Sequence, residues 1–319
     1  MMTGDSTLLK ASYNVHNLIR RTFGQVPGGM FGADENARMG SIDPRQGVET
    51  CGLVEQMASD ELMLCMTGDP FWAEHCEEVA FNSYPAAVMP DFKGLRYITC
   101  PNQTVSDSKN HHPGIDNRGP FLAMNPFSSR CCQHNHAQGW PYYAEHLILA
   151  SPDNGIAAAM YAACKATVKV GDGNEITLHE QTNYPFEETI RFTVNTPKAV
   201  SFPFYLRIPS WTESATIFVN GKKVAANPEA GQYACIHREW KDNDQVEIQL
   251  PMQLSMRTWQ VNKNSVSVDY GPLTMSLKID EDYVKKDSRA TATPANGRHT
   301  RSMQKLLGTT HWYSARTNL

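Results

Sequence analysis

Four residues have types and spacing that could do chemistry. Glu49 and Cys51 stand two apart in "GVETCGLVEQM", and Cys131 and Cys132 are adjacent in "SSRCCQHNH". Neighbouring Cα atoms lie about 3.8 Å apart, whereas a disulfide spans roughly 4.4–6.8 Å, so a bridge within the pair would be strained. Metal binding, catalysis or separate partners suit the pair better. Together the four residues offer three sulfurs and one carboxylate, the donor set of a tetrahedral zinc shell. The residues alone leave this reading open beside that of unrelated structural cysteines, since neither pair has the C-x-x-C spacing. A third reading, a free-thiol hydrolase of the Cys–His type, rests on His134 close behind the pair.

The elements that must position these residues fall into two regions. From Asp5 to about Ala150 the apolar period is helical. Leu8, Leu9, Val15, Leu18, Ile19 and Phe23 form one face, with Asp5 or Ser6 as cap and Gly24 as stop. A second helix is expected over about 48–66, ending at Gly68, and puts Glu49 and Cys51 at a loop-to-helix junction. There the helix dipole favours an anionic ligand by roughly 0.3–1 kcal/mol. A third opens at Asp69–Pro70, cap and first-turn proline. A fourth starts near His136 and carries Trp140, Tyr143 and Leu147, which places Cys131 and Cys132 in the long loop before it. Stretches 24–48 and 90–130 read as loops.

After about residue 152 the period becomes two, in segments such as "EITLHEQ", "ETIRFTV" and "DQVEIQL". Asn220-Gly221 between two of them is the composition of a type I′ hairpin. A β-sandwich is expected, with Trp211 and Trp240 packed inside it. Beyond Asp280 the periodicity is lost and little packed structure is expected. The division is therefore 1–151, 152–280 and 281–319.

The formal net charge of −4 over 319 residues, with no Lys/Arg run, argues against a nucleic-acid or anionic-membrane partner. No apolar run reaches transmembrane length, and the first residues lack the pattern of a signal peptide. Localisation and oligomeric state stay open. Eight cysteines are too few for a disulfide scaffold in so long a chain. Cys65, Cys76, Cys100, Cys164 and Cys235 read as small buried hydrophobes. His111, His112, His134 and His136 read as solvated loop histidines, and Trp140, Tyr142 and Tyr143 as core rather than a sugar-stacking wall.

"GGMFGADENARMGSIDPRQGVETCGLVEQM", then "RCC", then "YLRIPSWTESATIFVNGKKV", "YACIHREWKDNDQVEIQLPM" and "DYGPL" resemble glycoside hydrolase family 127, the β-L-arabinofuranosidases and their relatives. The likeness extends over about residues 5–280. It implies a partial (α/α)6 barrel followed by an antiparallel β-sandwich, as in a C-terminal portion of a longer enzyme. By resemblance Glu49, Cys51, Cys131 and Cys132 would bind zinc, and Cys131 would be the nucleophile of a retaining glycosidase. Glu35 in "GADEN" would be its acid/base, with Asp34 the second candidate. The implied substrate is a plant-cell-wall oligosaccharide. The rival from another class is a zinc-stapled structural or carbohydrate-binding protein without catalysis.

Overall fold

The computed structural model describes residues 4–30, 47–90, 94–101, 105–106, 130–225, 228–278, 280–286 and 299–304, together with 92 and 103. Glu35, Asp34, His111 and His112 lie outside the described residues.

The helices begin and end where short-range chemistry directs. In α1 (Ser6–Phe23) the Asp5 side chain accepts from the Thr7 amide, and Gly24 returns its N–H to Arg20. The short strand β1 (Val48–Glu49) leads into α2 (Thr50–Thr67), which stops at Gly68, left-handed at φ 67°. In α3 (Pro70–Glu78) Asp69 caps the Phe71 amide at 3.0 Å and Pro70 takes the first turn. A single π turn, Val79–Ser83, carries this helix into α4 (Tyr84–Ala86).

Then come β2 (Ile98–Thr99) and β3 (Val105–Ser106), followed by α5 (Arg130–His136) and α6 (Gly139–Glu145). Here the structure departs from the periodicity. Cys131 and Cys132 belong to a short helix of their own, not to a loop, and the expected fourth helix starts three residues later and ends before Leu147. "RCCQHNH" is too polar to show an apolar face, so its helicity comes from what it packs on.

That support is visible. Gly139 lies so close to Tyr84 that an added Cβ would sit 2.6 Å from its ring. The Tyr84 hydroxyl donates to the His136 carbonyl, and the two rings stack at 4.4 Å. Both short helices are thus seated on one aromatic residue. Tyr143 is buried, as expected of core, whereas Trp140 is largely exposed.

Strands fill the rest: β4 (Ile148–Ala150), β5 (Ile156–Ala158), β6 (Cys164–Val170), β7 (Asn174–Gln181), β8 (Thr189–Asn195), β9 (Val200–Ile208), β10 (Thr216–Val219), β11 (Lys222–Lys223), β12 (Gln232–Trp240), β13 (Asp244–Gln249), β14 (Leu254–Trp259), β15 (Ser265–Tyr270), β16 (Leu273–Met275), β17 (Glu281–Lys286) and β18 (His299–Gln304). One sheet runs β11-β10-β13-β8-β7-β6 and another β12-β9-β5-β4. Their inward residues, among them Phe192, Phe204, Ile248 and Trp240, bury a common apolar core, against which Trp211 packs from the side. Asn220 and Gly221, with φ 49° and 73°, make the expected two-residue hairpin between β10 and β11. The β4–β5 hairpin spans residues 151 and 152, and β5 joins β9 in parallel. Past Asp280, where little structure was expected, β17 pairs with β18 and β18 with β3. Cys65 and Cys235 are exposed, contrary to their reading as buried hydrophobes, whereas Cys76 is fully buried.

One buried cluster joins helices to strands. Arg207 on β9 places a guanidinium nitrogen 2.5 Å from Glu77 on α3, and neither side chain is solvent-exposed. Glu77 also accepts from the Tyr184 hydroxyl at 2.7 Å and the Tyr161 amide at 3.3 Å. Arg207 donates through Nε to the Ala159 carbonyl at 2.5 Å. Removing one member of such a pair strands the other charge in an apolar interior. Glu77→Gln or Arg207→Ala is therefore expected to lower stability by about 3–5 kcal/mol in urea unfolding. Arg191→Ala, which breaks the exposed Arg191–Glu247 pair, is expected to cost no more than about 1 kcal/mol.

Candidate metal centre

Glu49 reaches the site because its backbone is not yet helical. It has extended φ and ψ of −72° and 140° at the N-cap of α2, and its side chain makes no capping bond. Instead β1 pairs with β2, Glu49 opposite Ile98. Thr50, fully buried between the two candidate ligands, donates its amide to the Tyr97 carbonyl at 3.0 Å and its hydroxyl to the Arg96 carbonyl at 2.6 Å. The start of α2 is fixed in place before any ion is considered. Tyr97, Ile98 and Cys132 form a small apolar floor under the site, with Cys51, Leu95 and Cys100 packed on it.

Helix α5 packs on α2 and completes the set. Cys51 Sγ lies 3.3 Å from Cys132 Sγ, and Glu49 Oε1 lies 3.6 Å from Cys132 Sγ and 4.0 Å from Cys131 Sγ. One ligand atom from each of Glu49, Cys51, Cys131 and Cys132 lies within 4.8 Å of the others. At zinc bond lengths near 2.3 Å to sulfur and 2.1 Å to oxygen, a tetrahedron requires about 3.8 Å between sulfurs and about 3.6 Å between sulfur and oxygen. The four residues fit a zinc ion in donor chemistry, and the Glu49 separations lie near the tetrahedral value, while the Cys51 and Cys132 sulfurs at 3.3 Å would move apart by roughly 0.5 Å to share it.

Exposure divides the four unequally. Glu49 and Cys132 are buried, Cys51 is half-buried, and Cys131 is exposed. In the metal-free cluster the sulfurs compete for a single negative charge. Hydrogen bonding from Cys132, with help from Cys131 and Glu49, holds the Cys51 thiol down to about 5 despite its partial burial. Burial and bonding to that thiolate push Cys131 up. The hydrogen bond to Cys51 and then burial push Cys132 up as well. Cys51 is also the second residue of an 18-residue helix, where the dipole favours a thiolate.

The remaining candidates are placed plainly. His134, on α5, is exposed, and His136 is half-buried against Tyr84. The periodicity of the sequence did not point to Thr50, whose role depends on the backbone of residues 96–97. Nor did it point to a second group, His16, Asp60 and His75, drawn from three helices. The available signal was polar residues on otherwise buried helix faces, Asp60 and His75 among them.

Comparisons with known proteins bear on the family and the fold. Residues 1–145 match the model of the beta-L-arabinofuranosidase GH127 catalytic domain, and residues 155–252 that of the GH127 middle domain. Among solved structures, one described as a glycoside hydrolase is 24% identical at a TM-score of 0.62, over 84% of this chain and 51% of its own. A GH127 beta-L-arabinofuranosidase from Geobacillus stearothermophilus T6 is 21% identical at a TM-score of 0.73, over 95% of this chain and 55% of its own. A further GH127 beta-arabinofuranosidase is 20% identical at 0.69, over 95% and 54%. The chain thus spans about half the length of these structures. No curated protein sequence matches it significantly.

The charge distribution of the metal-free cluster sets a pH profile. A lowered thiol pKa means thiolate is present above it and lost below it. After chelation, alkylation of Cys51 by iodoacetamide, followed by peptide mass spectrometry, is expected to persist as pH falls from 8 and to drop with a midpoint near 5. In Cys51→Ala the thiolate that pushes the other two thiols up is gone, and alkylation of exposed Cys131 at pH 8 is expected to be faster than in the intact cluster. Rapid labelling of Cys132 in the intact cluster would contradict this distribution.

Proposed function

Because the chain belongs to glycoside hydrolase family 127, we propose that it carries the reaction centre of a retaining glycosidase acting on β-L-arabinofuranosides of plant-cell-wall oligosaccharides. Cys131 is its nucleophile, Glu35 its general acid/base, and Glu49, Cys51, Cys131 and Cys132 its zinc ligands. On this reading residues 1–151 contribute helices to an (α/α)6 barrel, residues 152–280 form the antiparallel sandwich behind it, and 281–319 are a tail.

The observation that carries the proposal is the uneven exposure of the sulfurs. Cys132 is sealed in the apolar floor and Cys51 is packed against it, while Cys131 faces outward. Only that sulfur is well placed to meet an anomeric carbon arriving from solvent. A bound zinc would keep the thiols deprotonated at neutral pH, and four anionic ligands would leave a surplus of negative charge beside the reacting carbon.

The chain's own residues account for each bond. The Cys131 thiolate forms a bond to the anomeric carbon while the bond to the leaving oxygen breaks, and the Glu35 carboxyl gives its proton to that oxygen. The Glu35 carboxylate then takes a proton from water, whose oxygen attacks the same carbon from the face just vacated. The carbon–sulfur bond breaks, the thiolate is restored, and two inversions give net retention. The negative neighbourhood favours the oxocarbenium-like transition state in both steps.

A second reading draws on the ligand count. Four protein ligands close a tetrahedral shell, which is the usual form of a structural site. A zinc-stapled, carbohydrate-binding protein would have the same cluster.

Turnover of an aryl β-L-arabinofuranoside separates the two. Cys131→Ser is expected to reduce the rate by three orders of magnitude or more, roughly the effect of removing a nucleophile. Glu35→Gln is expected to keep its zinc and accumulate a glycosyl adduct on the Cys131 peptide, read by mass spectrometry. Wild-type turnover by Cys131→Ser would sink the nucleophile assignment. Zinc and oligosaccharide binding by the unmodified chain with no turnover would favour the structural reading.

A further inference from the structure

Away from the sulfur cluster, α1, α2 and α3 bring together His16, Asp60 and His75, with one ligand atom of each within 4.8 Å of the others. Asp60 is fully buried and His75 is 5% exposed. His75 Nδ1 lies 2.7 Å from Asp60 Oδ2, and Asp60 Oδ1 accepts from Gln56 Nε2 at 2.8 Å. Two donor atoms sharing one ion at bond lengths near 2.1 Å stand about 3.0 Å apart or more. The 2.7 Å contact is therefore a hydrogen bond. A carboxylate at Nδ1 keeps the proton there and leaves the ring's lone pair on Nε2.

That nitrogen is buried and has no hydrogen-bond partner among the described residues. An unpaired buried polar atom costs about 1–3 kcal/mol and calls for an explanation. Beside it is the imidazole of His16, with ring centroids 4.9 Å apart and planes at 90°. Two imidazoles bound to one ion would have centroids about 4.5–5.2 Å apart, given metal–nitrogen bonds near 2.0–2.1 Å. His16 is itself half-buried, and both rings touch Phe71.

From this geometry we propose that His16 and His75 form a second divalent-metal site, with Asp60 as the carboxylate that orients His75. Imidazole donors select a borderline first-row ion such as Zn²⁺ over calcium or magnesium. Water fills the remaining positions, reaching the ion past half-exposed His16. The opposing charge is Arg20, whose guanidinium donates to the Met30 carbonyl at 2.8 Å and is offset by Asp60 and Glu78.

The site would give α1 an anchor that its packing does not supply. Among its 18 residues none is fully buried, and Leu8, Val15 and Leu18 stand more than half exposed. Among the described residues its hydrogen bonds to the other helices run through Tyr13, which donates to Asp69 at 2.8 Å and accepts from Trp72 at 3.0 Å, beside the charge contact of Arg20 with Asp60 and Glu78. An ion shared by His16 and His75 would clip α1 to α3 directly.

Equilibrium dialysis of the 319-residue chain against Zn²⁺, with zinc counted by elemental analysis, tests the proposal. Two ions per chain are expected. His16→Gln, with its fold checked by circular dichroism, should bind one. Cys51→Ser/Cys132→Ser should also bind one, and its Tm should still rise on adding Zn²⁺ unless His16→Gln is combined with it. Asp60→Asn should weaken the second ion by roughly tenfold or more. One ion in the wild-type chain and none in the cysteine variant, or two ions retained by His16→Gln, would overturn the second site while leaving the sulfur cluster untouched.

Discussion

The ion pair between Glu77 and Arg207 is the constraint on which the arrangement of this chain depends. Both side chains lie wholly out of solvent, so each charge is tolerable only while the other is present. Glu77 belongs to α3 and Arg207 to β9, and the Tyr184 and Tyr161 contacts to the same carboxylate add two more parts of the β region. The pair therefore specifies where the helices meet the strands with more precision than apolar packing alone provides. A second polar bridge runs beside it: Arg257 on β14 contacts Glu78 on α3 and Asp269 on β15. Two consecutive glutamates on one helix turn thus hold two different parts of the β region.

This matters for the sulfur cluster because α3 packs on α2, and two of the four clustered residues, Glu49 and Cys51, stand at the N-cap and first turn of α2. The other two come from α5, a helix of seven residues that is held by Tyr84 just beyond the π turn of the same helix run. Site and scaffold are mechanically continuous. Thr50 closes the chain of support by fastening the start of α2 to residues 96 and 97. The outcome is a cluster in which Glu49, Cys51 and Cys132 are set in packed structure and Cys131 is exposed.

Much of this was legible in the residues. Asp5, Gly24, Gly68 and the Asp69–Pro70 step act over one helical turn, and Asn220-Gly221 over a single hairpin, so their outcomes follow from local chemistry. By type and spacing Glu49, Cys51, Cys131 and Cys132 left a shared donor set open beside unrelated structural cysteines, and it was the family resemblance that singled the set out; the structure brings the four together. The helical state of "RCCQHNH" was not legible, because it comes from contact with Tyr84 and α2 and has no apolar period to show it. The exposure of Cys65 and Cys235 was equally hidden, since a cysteine's burial depends on which face of its element meets the core.

By itself, then, the amino-acid sequence determined the caps and stops of α1, α2 and α3 and the Asn220-Gly221 hairpin, because each of these is settled by interactions a few residues long. Only the tertiary structure decided that donors some eighty positions apart meet, that Cys131 is the sulfur facing out, and that His16, Asp60 and His75 converge from three helices. Those outcomes depend on which helix faces pack together and on buried charges finding partners across the chain, and neither is written in any local stretch.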